Sequence, residues 1–366
     1  KHFHLHFIKD GKSEKANELK NKTVNLKTQS KELQDLLSSY ETSVKDILYQ
    51  IPNIPNEIVK AGKDADDNEI VFEHGDATAK PNNLPHWEVA KKFNIIDFEL
   101  GVKITGAGFP VYKGKGARLQ RALTQFFLDK NSDAGYTEIV PPFVVNEASG
   151  YGTGQLPDKE GQMYYIGEDD LYLIPTAEVP VTNIYRDTIV KGEDLPITLT
   201  AYSPCFRREA GSYGKDVRGL NRLHQFEKVE IVRIEKPENS YAALDGMIEH
   251  VKGILEDLEL PYRILRLCGG DTGFTSAITY DFEVFSEAQE KWLEVSSVSN
   301  FETFQANRLK LRYKDENGTQ LAHSLNGSAL ALPRILASIL ENHQQADGTV
   351  KIPKALQPYT RFEILD

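Results

Sequence analysis

Apolar residues recur along the N-terminal stretch with a period of seven. Leu19, Leu26, Leu33, Tyr40 and Ile47 form one series, and Ala16, Thr23, Ser30, Leu37, Val44 and Ile51 form a second three residues earlier. Two such series are the a and d positions of a coiled coil, so the spacing predicts a long helix with one sticky seam. Pro52 and Pro55 close it, because neither can continue a helix. A single helix cannot bury that seam, and only about fifteen residues precede it, so its antiparallel partner is either absent from this chain or supplied in trans.

The pattern then changes. Residues 61–83 are polar, acidic and without period, and read as a linker between an arm at 1–60 and a domain at 84–366. Within that domain Leu119, Ala122, Leu123, Phe126 and Phe127 make the apolar face of a strong helix, and the strand "YTEIVPPFVV" follows. Pro141 and Pro142 cannot lie inside a central ladder, so that strand has an edge or a break there. Such edges are often covered by another subunit. Strand-like runs succeed one another downstream: "LYLIP", "ITLTAYSPCFR", "HQFEKVEIVRI", "YRILRLC", "TYDFEVFS", "WLEVSSVS" and "LKLRYKD". The main helical interruption is near 238–258. Strands without intervening crossovers favour an antiparallel sheet flanked by helices, an α+β layout.

Composition narrows the class. A chain of 366 residues, 40% hydrophobic and 27% charged, can bury a sizeable core. No run approaches the roughly 20 apolar residues of a membrane span, and no signal-peptide order opens the chain, so the cytosol is the expected compartment. Two cysteines, Cys205 and Cys268, are too few for a disulfide framework or a structural zinc site and read as buried, inert thiols. His2, His4 and His6 alternate with Phe3, Leu5 and Phe7 in a surface or tag-like stretch to which no function is given. Net charge is −11, yet nine lysines against seven acidic residues leave 1–50 at about +2 and the rest at about −13. The arm is the better polyanion contact.

Candidate chemistry concentrates in "CFRREAGSYGKDVRGLNRLHQFEKVEI", residues 205–231. A period of two puts Phe226, Lys228 and Glu230 on one face of a strand. The preceding strand ends in Arg207, Arg208 and Glu209, and the loop between holds Gly211, Gly214, Gly219, Lys215, Asp216, Arg218 and Arg222. Guanidinium forks beside an aromatic plate suit a nucleotide, whereas the plainer alternative is a surface hairpin with solvated charges. Three further segments weigh against that alternative. "LIPTAEVPVTN" puts Thr176 and Glu178 on one side of a strand. "KWLEVSSVSN" puts Glu294 and Ser296 on one side with Ser297 adjacent, oxygens of the kind magnesium accepts beside phosphates. "SLNGSALALPRILASILENHQ" runs from Asn326 and Ser328 into a helix with Pro333 and Arg334 in its first turns.

These segments resemble the class II aminoacyl-tRNA synthetases. Residues 205–231 look like their motif 2, "NGSALALPRILASILEN" like motif 3, and 116–145 like the dimer-forming motif 1. "YGTGQLP", "LIPTAEVPVTN" and "EVSSVSNFETFQANR" are similar to seryl-tRNA synthetases of the bacterial type, and the match covers roughly residues 47–366 with the arm fitting as well. The resemblance implies a class II antiparallel sheet with a coiled-coil arm only partly present. The activity it implies is serine activation with ATP and Mg2+ to seryl-adenylate and pyrophosphate, then transfer to the 3′ end of tRNA(Ser), and of tRNA(Sec). It implies that Arg207 holds the serine carboxylate and α-phosphate. Arg208 is a further ATP contact, Glu209 and the backbone near Leu223 read adenine, and Phe226 stacks on its ring. Arg334 stacks on its other side or grips the γ-phosphate, and Arg222 is a further γ-phosphate contact. Glu294 and Ser297 hold magnesium, with Val295 and Ser296 beside the nucleotide. Thr176, Ala177 and Glu178 take the serine amino group, and Glu230 and Ser328 its hydroxyl. It further implies a homodimer through 116–145 and a grip on tRNA by the arm. Departures are Arg208, where many relatives carry serine, Val298, where cysteine is common, and the half arm, which puts tRNA charging in doubt but not adenylate formation. The rival readings are a relative that loads a carrier protein, which would need no arm, and a non-catalytic tRNA-binding relative, against which Arg207, Arg334 and Glu294 stand.

Overall fold

The computed structural model describes residues 13–80, 82–158, 161–209 and 218–366. His2, His4 and His6, and the loop residues Gly211, Gly214, Lys215 and Asp216, lie outside the described residues. The chain divides into two compact units, 1–52 and 53–366.

In the first unit a single helix, α1 (Ser13–Leu48), carries the seven-residue repeat. From Leu26 onward its seam is uncovered: Leu26, Leu33, Leu37, Tyr40, Val44 and Ile47 are all more than half exposed. Helix geometry stops at Leu48, so Ile51, at the end of the repeat, falls in the turn before Pro52.

The second unit is built on one eight-stranded sheet. Its strands in chain order are β1 (Glu69–His74), β2 (Thr137–Glu138), β3 (Ile197–Phe206), β4 (Gln225–Glu235), β5 (Tyr262–Arg266), β6 (Ile278–Ser286), β7 (Lys291–Glu302) and β8 (His323–Ala331). They lie in the order β1-β5-β6-β7-β8-β4-β3-β2, every pair antiparallel except the edge pair β2 and β3, which is parallel. The expected α+β sheet is present. The expected linker is not featureless: within 61–83, residues 69–74 form edge strand β1 on β5, tied by the Arg266 guanidinium to Glu69 at 2.8 Å. An edge strand with water on its outer side needs little apolar alternation, which hides it among polar residues. The opposite edge, β2, ends before Pro141 and Pro142, as their missing donors require.

Alternation sorts the sheet into two faces. Val229 and Ile231 of β4, Phe282 and Val284 of β6, Val298 of β7 and Leu325 of β8 point into the main core. Three helices cover that face. From α3 (Gly114–Asp133) come Leu119, Leu123, Phe126 and Phe127; α5 (Ser240–Asp257) adds Leu244, Met247 and Val251; α7 (Leu332–Asn342) adds Ile335, Leu336 and Ile339. Each fully buried side chain of this size is worth about 1.5–3 kcal/mol relative to exposure. Helix α3 stops where Gly135 takes φ of +90°, a left-handed turn that costs glycine nothing. Helix α7 accepts Pro333 at its start, where a missing N–H leaves no bond unmade. Two short helices lie ahead of these strands in their chemistry: α2 (His86–Lys92) and α4 (Glu178–Asn183), with α6 (Thr303–Leu309) following β7.

Candidate active site

The second face of the sheet is polar, and the register shows how. Glu230 of β4 stands opposite Ser328 of β8 and opposite Ala201 of β3, while Lys228 stands opposite Ser203 and Phe226 opposite Cys205. Residues opposite one another share a face. Phe226, Lys228 and Glu230 therefore line one surface, as the period of two predicts.

Glu230 is 2% exposed and forms an ion pair with the Lys228 ammonium. The Thr176 hydroxyl donates to its Oε2 at 3.0 Å. Burial raises the Glu230 carboxyl, and Lys228, Thr176 and Arg207 each pull it back. Thr176 and Glu178 meet by a different route from the one expected. The segment after "LIP" is no strand; α4 begins at Glu178, and its backbone N–H donates to Thr176 Oγ1 at 3.2 Å. A helix start suits "TAEVPVTN", where Pro180 lies in the first turn and lacks only a donor that would be unmatched there. Glu178 accepts from Gln305 Nε2 at 2.6 Å, and Gln305 Oε1 in turn accepts from the Ser324 hydroxyl at 2.8 Å. Burial first, and the Glu230 charge second, push the Glu178 carboxyl up to about 7. Two carboxylates share one buried corner, one clamped by a lysine and one raised to about 7, an arrangement chemically suited to a cationic guest.

Arginines gather at the other end. Arg207 follows β3 directly, with its guanidinium 5.2 Å from the centre of the Phe226 ring and its Nε donating to the Pro175 carbonyl at 3.4 Å. Arg208 lies over Tyr164, and Glu209, held at φ of +47°, pairs with Arg222 at 3.0 Å. Arg334 donates through Nη1 to the Glu294 carbonyl at 2.6 Å and through Nε to the Asn221 carbonyl at 3.1 Å.

Strand β7 departs from simple alternation. Ser296 stands opposite Phe282, but Glu294 stands opposite Glu283, so Val295 is an extra residue in the ladder. The bulge corrects the expected pairing: Glu294 shares its face with Ser297, opposite Asp281, and Ser296 turns the other way. Ser296 is 2% exposed and donates to the Ser328 carbonyl, and Val295 is 1% exposed in the main core. Neither side chain reaches the polar face. Ala177 and Leu223 are likewise buried in apolar clusters, leaving only their backbones to meet a ligand. Asp281 joins Glu294 and Ser297 without having been singled out. Burial pushes its carboxyl well above the usual carboxylate range, the Glu294 charge adds to that, and the Ser297 hydroxyl opposes it. Its Oδ1 is a buried acceptor without a hydrogen-bond partner.

Sequence reasoning thus missed Asp281, Gln305 and the role of Lys228. Lys228 was legible from its place between Phe226 and Glu230. Asp281 had a weaker signal in the alternation of "TYDFEVFS". Gln305 lay inside the quoted "EVSSVSNFETFQANR", but nothing local tied it to Glu178, 127 residues away. Cys205 and Cys268 are free and buried, as expected.

Known proteins resemble this chain in sequence and in fold. The family model for the class II core domain of tRNA synthetases (G, H, P, S and T) matches residues 164–343. The serine–tRNA ligase of Salinibacter ruber is 53% identical over 97% of this chain and 83% of its own length, and that of Gloeothece citriformis is 47% identical over 96% and 81%. Among solved structures, seryl-tRNA synthetase from Pyrococcus horikoshii complexed with ATP superposes with a TM-score of 0.90 at 33% identity, covering 99% of this chain and 86% of that one. The serine–tRNA ligase of Naegleria fowleri in complex with AMP gives 0.85 at 29% identity, over 91% and 80%. Sheet order, polar face and sequence identity lead to one assignment: the chain belongs to the seryl-tRNA synthetase family of class II aminoacyl-tRNA ligases.

Proposed function

We propose that this chain activates L-serine with ATP on the polar face of the sheet and passes it to tRNA(Ser), and that the residues gathered there divide the work. The observation that carries this reading is the seating of Arg207 over Phe226 with its charge felt at Glu230, which joins the arginine end of the site to the buried carboxylate end. Serine is held with its ammonium at Glu178 and Thr176 and its hydroxyl at Glu230 and Ser328. The serine carboxylate and the α-phosphate meet at Arg207. A carboxylate oxygen attacks the α-phosphorus, the bond to the β-phosphate oxygen breaks, and pyrophosphate leaves. Two anions are forced together in that step, so fixed cations aimed at the developing charge lower the barrier, and no protein nucleophile or base is needed. Arg222 and Arg334 exchange their partners Glu209 and Glu294 for phosphate oxygens, and Phe226 offers its ring to adenine.

The donor set also fits magnesium. Asp281 and Glu294 carboxylates and the Ser297 hydroxyl are hard oxygens, and Asp281 Oδ1 has a free lone pair. Among the described residues no group of three or more His, Cys, Asp or Glu is gathered for a metal. When bound, magnesium would neutralise charge on the phosphates. The region 116–145 is read as a homodimer surface, since β2 is an edge and Val140 beside it is 83% exposed. The arm is read as the tRNA contact and the cytoplasm as the compartment.

Replacing Arg207 by alanine is expected to abolish ATP–pyrophosphate exchange with L-serine; retention of most activity would remove Arg207 from the centre. Exchange measured across the amino acids, followed by charging of a tRNA pool, separates this function from carrier loading and from tRNA binding without catalysis.

A further inference from the structure

Behind the arginines lies a buried ionisable pair that the reaction itself does not use. His86, the first residue of α2, and Glu341, near the end of α7, are both fully buried, with Nδ1 and Oε1 2.6 Å apart. The His86 backbone N–H also donates to Oε1, at 2.9 Å, as does Gln289 Nε2, at 2.9 Å, and the Ser286 hydroxyl donates to Oε2. These donors hold the Glu341 carboxyl below the usual range despite its burial. On the far side of the imidazole, Nε2 accepts the Leu220 backbone N–H at 2.8 Å. An acceptor nitrogen carries no hydrogen, so the ring proton is on Nδ1 and is donated to Glu341.

We propose that His86 is a positioning residue for ATP: it fixes the backbone from Gly219 to Leu223, and through it the arginines that meet the triphosphate. Leu220 is the residue before Asn221, whose carbonyl accepts Arg334 Nε and whose side-chain amide donates to Gln289 Oε1 at 2.9 Å. Arg222 and Leu223 follow at once. Helix α7 therefore grips this short segment at two points, directly through Arg334 and, seven residues later, through Glu341 and His86. Residues seven apart lie on one face of a helix, about 10 Å along it. Gly219 confirms how close the fit is. A Cβ there would stand 2.1 Å from His86 Nε2, and its φ is +70°, so no side chain is accommodated. The serine end of the site has no member in this network, so the influence of His86 is confined to the nucleotide.

This inference rests on the assignment of Arg222 and Arg334 to ATP. Two conservative variants of His86 test it. In His86→Gln the amide oxygen can take the place of Nε2 and accept from Leu220, whereas His86→Asn can reproduce only the Nδ1 donation to Glu341. In ATP–pyrophosphate exchange, His86→Asn is expected to raise KM for ATP about tenfold and leave KM for L-serine within about twofold, the loss of one hydrogen bond to a buried N–H being of that order. His86→Gln is expected to stay within about threefold for both. Equal damage from the two variants, or parallel rises for ATP and serine, would overturn the proposal. So would an unchanged KM for ATP in His86→Asn. Should His86→Asn not fold, Gly219→Ala disturbs the same contact from the loop side and must show the same split. Arg334→Ala, measured alongside, keeps the two levels apart: if it leaves KM for ATP unchanged, the ATP assignment fails; if it raises KM while His86→Asn does not, only the role of His86 fails.

Discussion

At the scale of single residues the chemistry depends on what burial does to charge. Glu178 has a carboxyl pushed up to about 7, so below that pH it is protonated and offers the serine ammonium less. KM for L-serine is therefore expected to rise as pH falls from 8 to 6, with KM for ATP much less affected, and steady-state exchange at several pH values checks it. The sign for stability is opposite. Because the folded-state value lies above the ordinary 4.5, the Glu178 contribution is present below 4.5 and is lost as pH rises through about 7. Glu178→Gln should flatten that part of the pH–stability curve in denaturant melts. Glu230 poses a different problem. Its removal leaves the Lys228 ammonium, on a residue 7% exposed, without its partner, which costs about 3 kcal/mol. Glu230→Ala is thus expected to lower stability by that order and to impair serine activation far more than ATP binding; equal losses in the two would sink the assignment. Alanine as a substrate leaves the same polar groups unpaired, so it should be discriminated against steeply.

At the scale of elements, two breaks of local regularity decide what faces the ligand. A strict period of two sets Glu294 with Ser296, and the extra residue Val295 sets it with Ser297 instead. Bulges carry little signal in sequence, because any small apolar residue can occupy one. Likewise "TAEVPVTN" reads as strand on its β-branched residues but starts a helix, because Glu178 opens a short turn against the apolar patch of Ala177, Val181, Leu199 and Val232. Where the periodicity is long and uninterrupted the reading is sound. The five apolar residues expected on α3 are all buried, and the heptads of α1 do form one continuous helix. The uncovered seam of α1 allows a test of the arm. Leu26→Glu with Leu33→Glu, both positions more than half exposed, puts negative charge against the phosphate backbone and should leave serine-dependent exchange unchanged while lowering tRNA charging at least severalfold. Exchange and charging measured on one preparation would show it, and equal effects on both would contradict a role confined to tRNA.

At the scale of the whole molecule, the open edge of the sheet at β2 and the exposed Val140 set the expectation of a dimer. Val140→Asp should shift the mass measured by light scattering from dimer towards monomer, and an unchanged mass would place the interface elsewhere. Charge is distributed on the same scale: with −11 overall and about +2 in the first fifty residues, the arm is where contact with a polyanion is expected. No helix among the described residues is long and apolar enough to cross a membrane. By itself the sequence determined the α+β layout, the coiled-coil helix, the arginines, and the shared face of Phe226, Lys228 and Glu230. These are properties of period and residue type, and neighbours in the chain are enough to set them. Tertiary structure alone decided that Asp281 completes the oxygen set, that Gln305 reaches Glu178, and that His86 joins α7 to the segment at Gly219–Leu223. Each of those contacts spans more than a dozen residues, and His86 lies 134 residues from Leu220. Chain entropy keeps such groups apart until the sheet and its helices have already brought them together, so no local pattern could announce them.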